Sequence, residues 1–403
     1  MEGRIDTSRP QRQDAERLTV LYSFPHALGA PGIGWTAWNQ ANELVRAGHE
    51  VHIVAASIAI PVPGAASTRT TLTAFSRRIP HRVLGRDRAL AYHDAVVSRI
   101  VRRGGIDVVH SWPRASVRTF RAAAQQGIAS LREVPNTHTA NAYEVVARET
   151  ELLGLSTPRG ASHTHDKRRL AIEEKEWATA TALLVPSEPV ARSFLERGFD
   201  PNRLLRHQYG CSVKVVRPPR GDRPFTAVFL GRGDPRKGLH YALRAWVASS
   251  ASRHGRFLVY GHIEHEYGRY LAPLLDDPSV EVCGVTSDPM TVLANSDVLL
   301  LPSVEEGSAL VTYEAQVAGC VPLVSVAAGA VLTNGVSGLM HEVGDVSTLS
   351  HQLDALSSQP DRLAQMQAAA LARADDLSWA AAVRLQVKAY RRAMGMMADS
   401  PAR

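Results

Sequence analysis

Short apolar, β-branched runs alternate along this chain with longer amphipathic stretches. That rhythm predicts a parallel sheet covered by helices on both faces. LTVLYSF at 18–24 reads as the first strand, the Gly-rich turn GAPGIG follows it, and a helix is predicted from Trp35 to Arg46 with Gly48 as its C-terminal cap. VHIVAAS at 51–57, IDVVHSW at 106–112, IASLREV at 128–134 and ALLVPSE at 182–188 read as further strands, with a helix over 171–180 and Ser187 capping another. The periodicity stops in CSVKVVRPPRGDRP at 211–224, whose Pro, Gly and charge mark a linker. It then restarts in TAVFLGRG, RFLVYGH, VEVCG, VLLLPS and VPLVSV.

The expected class is α/β: two Rossmann-like, doubly wound domains facing a central cleft, with ligands beyond the carboxyl ends of the strands. The boundaries set from the pattern are a polar, disordered leader at 1–17, a first domain at 18–215, a linker at 216–224 and a second domain at 225–378. The amphipathic segment 379–397 is expected to pack back onto the first domain. No repeat of 20–50 residues is visible, which removes a solenoid.

Composition narrows the function classes. A chain of 403 residues is long for one core, and 45% hydrophobic against 21% charged residues excludes a disordered or fibrous protein. No apolar run approaches the roughly 18 residues of a membrane span, since VHIVAASIAIPVPG is broken by Pro and Gly. The leader lacks the apolar stretch of a signal peptide. Cys211, Cys283 and Cys320 stand far apart without metal-ligand spacing, so no metal is expected and a cytoplasmic setting is. The net charge of +7 is uneven, because residues 1–216 carry 29 Lys and Arg against 20 Asp and Glu. A basic first half suits an anionic partner or peripheral contact with a membrane surface, or is simply a solvated face. No aromatics interleave the arginines, so nucleic acid is not expected as a partner.

The sharpest motif is LLLPSVEEGSALVTYEAQVAGC at 299–320, where a buried strand runs into a loop with Glu305, Glu306 and Gly307 and then into a helix. The amides of Ser308, Ala309 and Leu310 would be the open donors of that helix start, a seat for phosphate or sugar hydroxyls. Glu306 and Glu314, eight residues apart, could both face it and accept hydrogen bonds from vicinal diols. An acid near a helix start can also do no more than complement the dipole. In AVFLGRGDPRKGL, Arg232 and Lys237 would neutralise a diphosphate, although such residues beside a turn are commonly just solvated.

Gly32 and Gly34 in PGIGW permit close backbone approach, but the full dinucleotide spacing is missing, which disfavours a dehydrogenase. His110 and His138 stand at strand ends, and His138 is the choice to contact a sugar; either is also an ordinary structural histidine. His163 and His165 read as a surface loop on the acceptor side rather than a metal site.

These stretches resemble retaining glycosyltransferase family four, whose members have the GT-B fold. PSVEEGSALVTYEAQVAGCVPLVS is similar to its Glu-x7-Glu segment, GRGDPRKGL to its pyrophosphate-binding turn, and NGVSGLMHEVGDVSTLS to the strand and loop that follow. The resemblance implies a retaining, metal-independent transferase without a cofactor, taking a UDP- or GDP-linked sugar as co-substrate and a small-molecule, glycan or lipid acceptor. It implies that Glu314 binds the ribose, Glu306 and His138 the sugar, and Arg232 and Lys237 the diphosphate. Gly34 would approach the phosphate, the backbone from Gly307 to Leu310 would support sugar and phosphate, and the base would lie near Cys283, Gly284 and Val285. Ser308 and Ala309 depart from the family, which more often has an aromatic and a glycine there. Two other readings stay open: a nucleotide-sugar epimerase of the same fold, and a non-catalytic nucleotide-sugar-binding protein.

Overall fold

A computed structural model describes residues 17–74, 77–78, 85–156, 163–212, 216–219 and 221–398. The expected leader lies outside the described residues except for Arg17, as do residues 213–215 and 220 of the Pro-rich linker stretch.

The first sheet has seven parallel strands in the order β3-β2-β1-β6-β7-β8-β9. They are β1 (Thr19–Leu28), β2 (Glu50–Ile58), β3 (Ser67–Thr70), β6 (Val108–Ser111), β7 (Ala129–Glu133), β8 (Ala182–Val185) and β9 (Leu204–Arg206), while β4 (Thr73–Ala74) and β5 (Arg77–Arg78) pair with each other. Its helices are α1 (Ile33–Arg46), α2 (Arg86–Val101), α3 (Val117–Gln125), α4 (Thr139–Leu152), α5 (Lys167–Thr179) and α6 (Glu188–Leu195). Strand residues alternate between two cores: Val20, Tyr22 and Phe24 of β1 enter one and Leu21 the other. A sheet buried on both faces is why these strands read as continuous apolar runs. Gly48 takes a left-handed φ of 90° just beyond α1, the conformation its capping position needs.

The second sheet has six parallel strands in the order β12-β11-β10-β13-β14-β15. These are β10 (Phe225–Leu230), β11 (Gly255–Tyr260), β12 (Val280–Gly284), β13 (Val298–Leu301), β14 (Val321–Ser325) and β15 (Leu339–His341). They alternate with α7 (Leu239–Ala248), α8 (His265–Leu275), α9 (Pro289–Ala294), α10 (Leu310–Val317), α11 (Val346–Ser358) and α12 (Pro360–Leu371). Strand order reverses between β10 and β13, the position at which such sheets commonly hold a ligand.

The chain crosses between the domains twice. Cys211 bridges to Ser378, and its amide donates to Leu377 O at 2.9 Å. Tyr209, Tyr313, Val317, Leu377 and Trp379 form an apolar cluster at that waist. The last helix, α13 (Trp379–Ala398), then returns to the first domain. Its Val383, Val387, Tyr390 and Ala393 follow helical spacing and join the same core as β1 and α1. Among the described residues no helix is long and apolar enough to cross a membrane.

Tyr390 is fully buried, and its hydroxyl lies 2.7 Å from His110 Nδ1. Tyr390→Ala is expected to destabilise the first domain by about 3 kcal/mol through the cavity and the broken hydrogen bond. The urea midpoint checks it; an unmoved midpoint would mean that α13 contributes nothing to that core.

Candidate functional site

The loops after β10 and β13 meet at the reversal point of the second sheet. After β10 the chain turns through Gly231–Asp234, where Asp234 caps a short 3-10 turn, Pro235–Lys237, by accepting from the Lys237 amide at 3.1 Å. Gly238 follows with a φ of 70° and lies so close to the Pro302 carbonyl that any side chain would collide with it. The two loops therefore pack backbone to backbone, and the Val304 amide donates to Arg236 O at 2.9 Å.

This packing brings four charges together. Lys237 Nζ forms an ion pair with Glu306 Oε1, and Arg236 Nη1 lies 3.1 Å from the same oxygen. Arg236 Nη1 also lies 3.4 Å from Glu305 Oε2 and donates to the Glu305 carbonyl at 3.0 Å. Burial pushes the Glu306 carboxyl up, but Arg236 and Lys237 outweigh it and hold the group below the usual carboxylate range. Burial alone would lower Arg236; Glu306, Glu305 and Asp234 instead raise it.

The first domain closes over this cluster. Thr137, just beyond β7, donates from its amide (3.1 Å) and its hydroxyl (2.7 Å) to Glu305 Oε1, and His163 Nε2 lies 3.4 Å from Glu305 Oε2. Gly307 sits against the Pro135 carbonyl with no room for a Cβ, and Ser187 donates its hydroxyl to Gly307 O. Ser187 is also the N-cap of α6, accepting from the Val190 amide at 3.4 Å, so one hydroxyl serves a helix and a domain contact.

Glu306 and Lys237 come together, and Glu314 lies one turn into α10. Burial raises the Glu314 carboxyl, and among the described residues nothing hydrogen-bonds or ion-pairs with it. Of the expected seat, the Ala309 amide is already bonded to Ala328 O at 3.2 Å, and the Ser308 hydroxyl is engaged by Tyr313 (2.7 Å) and Gly329 O (2.9 Å). Leu310 is the first residue of α10, so its amide remains an open helix-start donor. Gly284 and Val285 stand at the open end of β12, with Val285 79% exposed and Cys283 half-buried beside them.

Other expected positions fall elsewhere. Arg232 turns away from Glu306 to pair with Glu264, its side chain half exposed. His138 does not project into the opening. Its ring lies 4.5 Å from Trp177 and 5.0 Å from Phe194, and its Nδ1 accepts from the Ala140 amide at the start of α4. Burial, reinforced by Arg197, pushes its pKa down to about 4, which keeps the ring neutral and able to accept. The competing demand was a helix cap inside an aromatic nest. His110 is fully buried, 3.4 Å from Glu133, in a network that includes His207 and Tyr209. Gly32 is exposed with a φ of 80° ahead of α1, whereas Gly34 is buried with its would-be Cβ 2.5 Å from Ala27 O. The strand-to-helix turn itself therefore accounts for Gly34. His165 stacks on Tyr143 at 5.3 Å beside α4.

Sequence reasoning missed Arg236, Thr137 and the part played by Glu305. Arg236, Glu305 and Thr137 each adjoin a residue already singled out (Lys237, Glu306 and His138), and that adjacency was the one available signal.

Two family models match in succession: "Glycosyltransferase Family 4" over residues 31–206 and "Glycosyl transferases group 1" over 224–359. The chain belongs to glycosyltransferase family four. A D-inositol 3-phosphate glycosyltransferase of Rhodococcus jostii (strain RHA1) is 27% identical over 278 residues, 61% of this chain and 58% of that protein. One of the same name from Frankia alni is 35% identical over 99 residues, 24% of each chain. The chain thus spans little more than half, and a quarter, of the curated relatives it matches. Among solved structures, a glycosyltransferase of Rickettsia africae aligns with a TM-score of 0.66 at 16% identity, covering 96% of this chain and 100% of that one. An Anabaena protein in complex with UDP and glucose aligns at 0.62 and 13% identity, covering 92% and 98%. At these identities the likeness concerns the fold, which is GT-B.

Gly307→Ala is expected to force the 135–137 and 305–307 loops apart, since no neighbouring flexible side chain can yield in place of the Pro135 backbone. Small-angle scattering should show an expanded molecule. An unchanged radius of gyration would mean that the domain contact does not depend on this glycine.

Proposed function

We propose that this chain is a retaining, metal-independent glycosyltransferase that moves a sugar from a UDP- or GDP-linked donor to an acceptor held by the first domain. The observation that carries the reading is the pairing of Glu306 with Lys237 at the sheet's reversal point, with a half-buried Glu314, unpartnered among the described residues, one turn into the helix that follows. Charge exchange gives the pairing its purpose. An arriving diphosphate competes for Lys237, and the released Glu306 carboxylate becomes an acceptor for the sugar's hydroxyls. Glu314 meets the ribose diol, which relieves the cost of a buried carboxylate without a partner.

As the sugar–phosphate bond breaks, negative charge grows on the leaving diphosphate. In this reading Lys237 and the Leu310 amide at the start of α10 stabilise it. Arg232 joins them by leaving Glu264, an exposed pair with little to hold it. These cations take the part that a metal plays elsewhere. The departing phosphate and the incoming acceptor hydroxyl share one face of the sugar, so the anomeric configuration is kept.

The acceptor is an anionic small molecule, glycan or lipid. The relatives' name includes an inositol phosphate, and the basic first half suits such a charge. In the cytoplasm the same basic surface allows peripheral contact with an anionic membrane.

A thermal-shift screen of nucleoside diphosphates and their sugars identifies the donor, because a ligand of the folded state raises the melting temperature. Glu314→Ala is expected to weaken binding of that diphosphate by about tenfold or more. Lys237→Ala should cut turnover by about a hundredfold. The ionised Glu314 is the form that accepts the diol, and its pKa is raised. Affinity should therefore fall as pH drops through a value above the ordinary ~4.3 of glutamate, while Glu314→Gln shows no such limb. Wild-type affinity and turnover in both alanine variants would overturn the assignment.

A further inference from the structure

One carboxylate of the four-charge cluster has no task in the transfer chemistry, yet it is the most deeply held. Glu305 is 1% exposed, and four groups approach its side chain: the Thr137 amide, the Thr137 hydroxyl, His163 Nε2 and Arg236 Nη1. The first three come from the first domain and the last from the second. Its main-chain carbonyl accepts from Arg236 as well. Arg236 thus has three anchors: two on Glu305 and one on Glu306.

The division of cations follows from those anchors. Among the described residues the Lys237 ammonium pairs with Glu306 alone, so it can move to a diphosphate. Arg236 is held by the Glu305 carbonyl and carboxylate and stays beside Glu306 when Lys237 departs. Without the Glu305 charge, the buried guanidinium would keep Glu306 as its carboxylate at ion-pair distance, with Asp234 acting only from further off, and would settle on Glu306, occupying the oxygens that should meet the sugar. Resting on the sugar-transfer reading above, we infer that Glu305 is a positioning residue. It holds Arg236 at the edge of Glu306, and it is itself held in place by Thr137, so the sugar-facing carboxylate is set by contact between the two domains.

The test measures binding of UDP and of GDP by calorimetry, and turnover of the corresponding nucleotide sugars, in the full chain. Glu305→Gln should lower kcat by about 10- to 100-fold, the loss of a charge-assisted hydrogen bond. It should leave the Kd of the bound diphosphate within about threefold, because Lys237 and the helix start are untouched. Thr137→Val, which removes only one hydroxyl, should cost about three- to tenfold in kcat, and Thr137→Ser should restore the wild-type rate. The double variant Glu305→Gln/Thr137→Val should be no slower than Glu305→Gln alone, because both changes act through one contact. A wild-type kcat in Glu305→Gln, a parallel collapse of kcat and diphosphate binding, or additive losses in the double variant would each overturn the inference while leaving sugar transfer standing. A wild-type protein that binds neither diphosphate would remove the sugar-transfer reading and this inference with it.

Discussion

Two adjacent carboxylates taken out of water at the meeting of two domains impose the central constraint on this molecule. Glu305 and Glu306 are both buried, and like charges so close require counter-charges and hydrogen-bond donors in fixed positions. Arg236 and Lys237 supply the charge from the turn after β10, and Thr137 supplies donors from the opposite domain. Much else near the crevice serves this arrangement. Gly238 lets the β10 turn lie against Pro302, Gly307 lets the acidic loop reach Pro135, and Ser187 ties the same loop to α6.

The two sheets explain why that meeting point lies where it does. Each is parallel with its central strands buried on both faces, so those strands reach solvent mainly at their ends. In the second sheet the order reverses between β10 and β13, and the loops leaving those strands carry all four charges. The first domain answers with the loop after β7 and with residue 163 ahead of α5. The returning helix α13 packs on the first domain and buries Tyr390 against His110, which explains why a strand-end histidine lies in a core rather than in the opening.

Buried ionisable side chains meet opposite fates here. His138 is enclosed by Trp177 and Phe194, accepts an amide hydrogen bond and is neutral, so its environment is complete. Glu314 is raised by burial with nothing among the described residues to offset it, so its polar atoms are left unsatisfied by the protein. Satisfaction of the polar atoms is what separates them.

The fold was legible because a parallel sheet leaves a strong local record: apolar runs, intervening amphipathic helices and turn residues such as Gly48 and Ser187 follow from nearest-neighbour chemistry. The edge strand β3 escaped notice because its residues, Ser67–Thr70, are polar and mostly exposed, and β9 because three residues carry no periodicity. Sequence spacing likewise determined that Glu306 and Glu314 share one segment and that Lys237 follows a strand end. It could not determine the direction in which Arg232 points, the burial of His138, or the union of Arg236, Glu305 and Thr137. Those depend on groups up to 168 residues apart and on which buried charge lacks a partner. Such electrostatic demands exist only once both domains have folded and met, so the tertiary structure alone decided them.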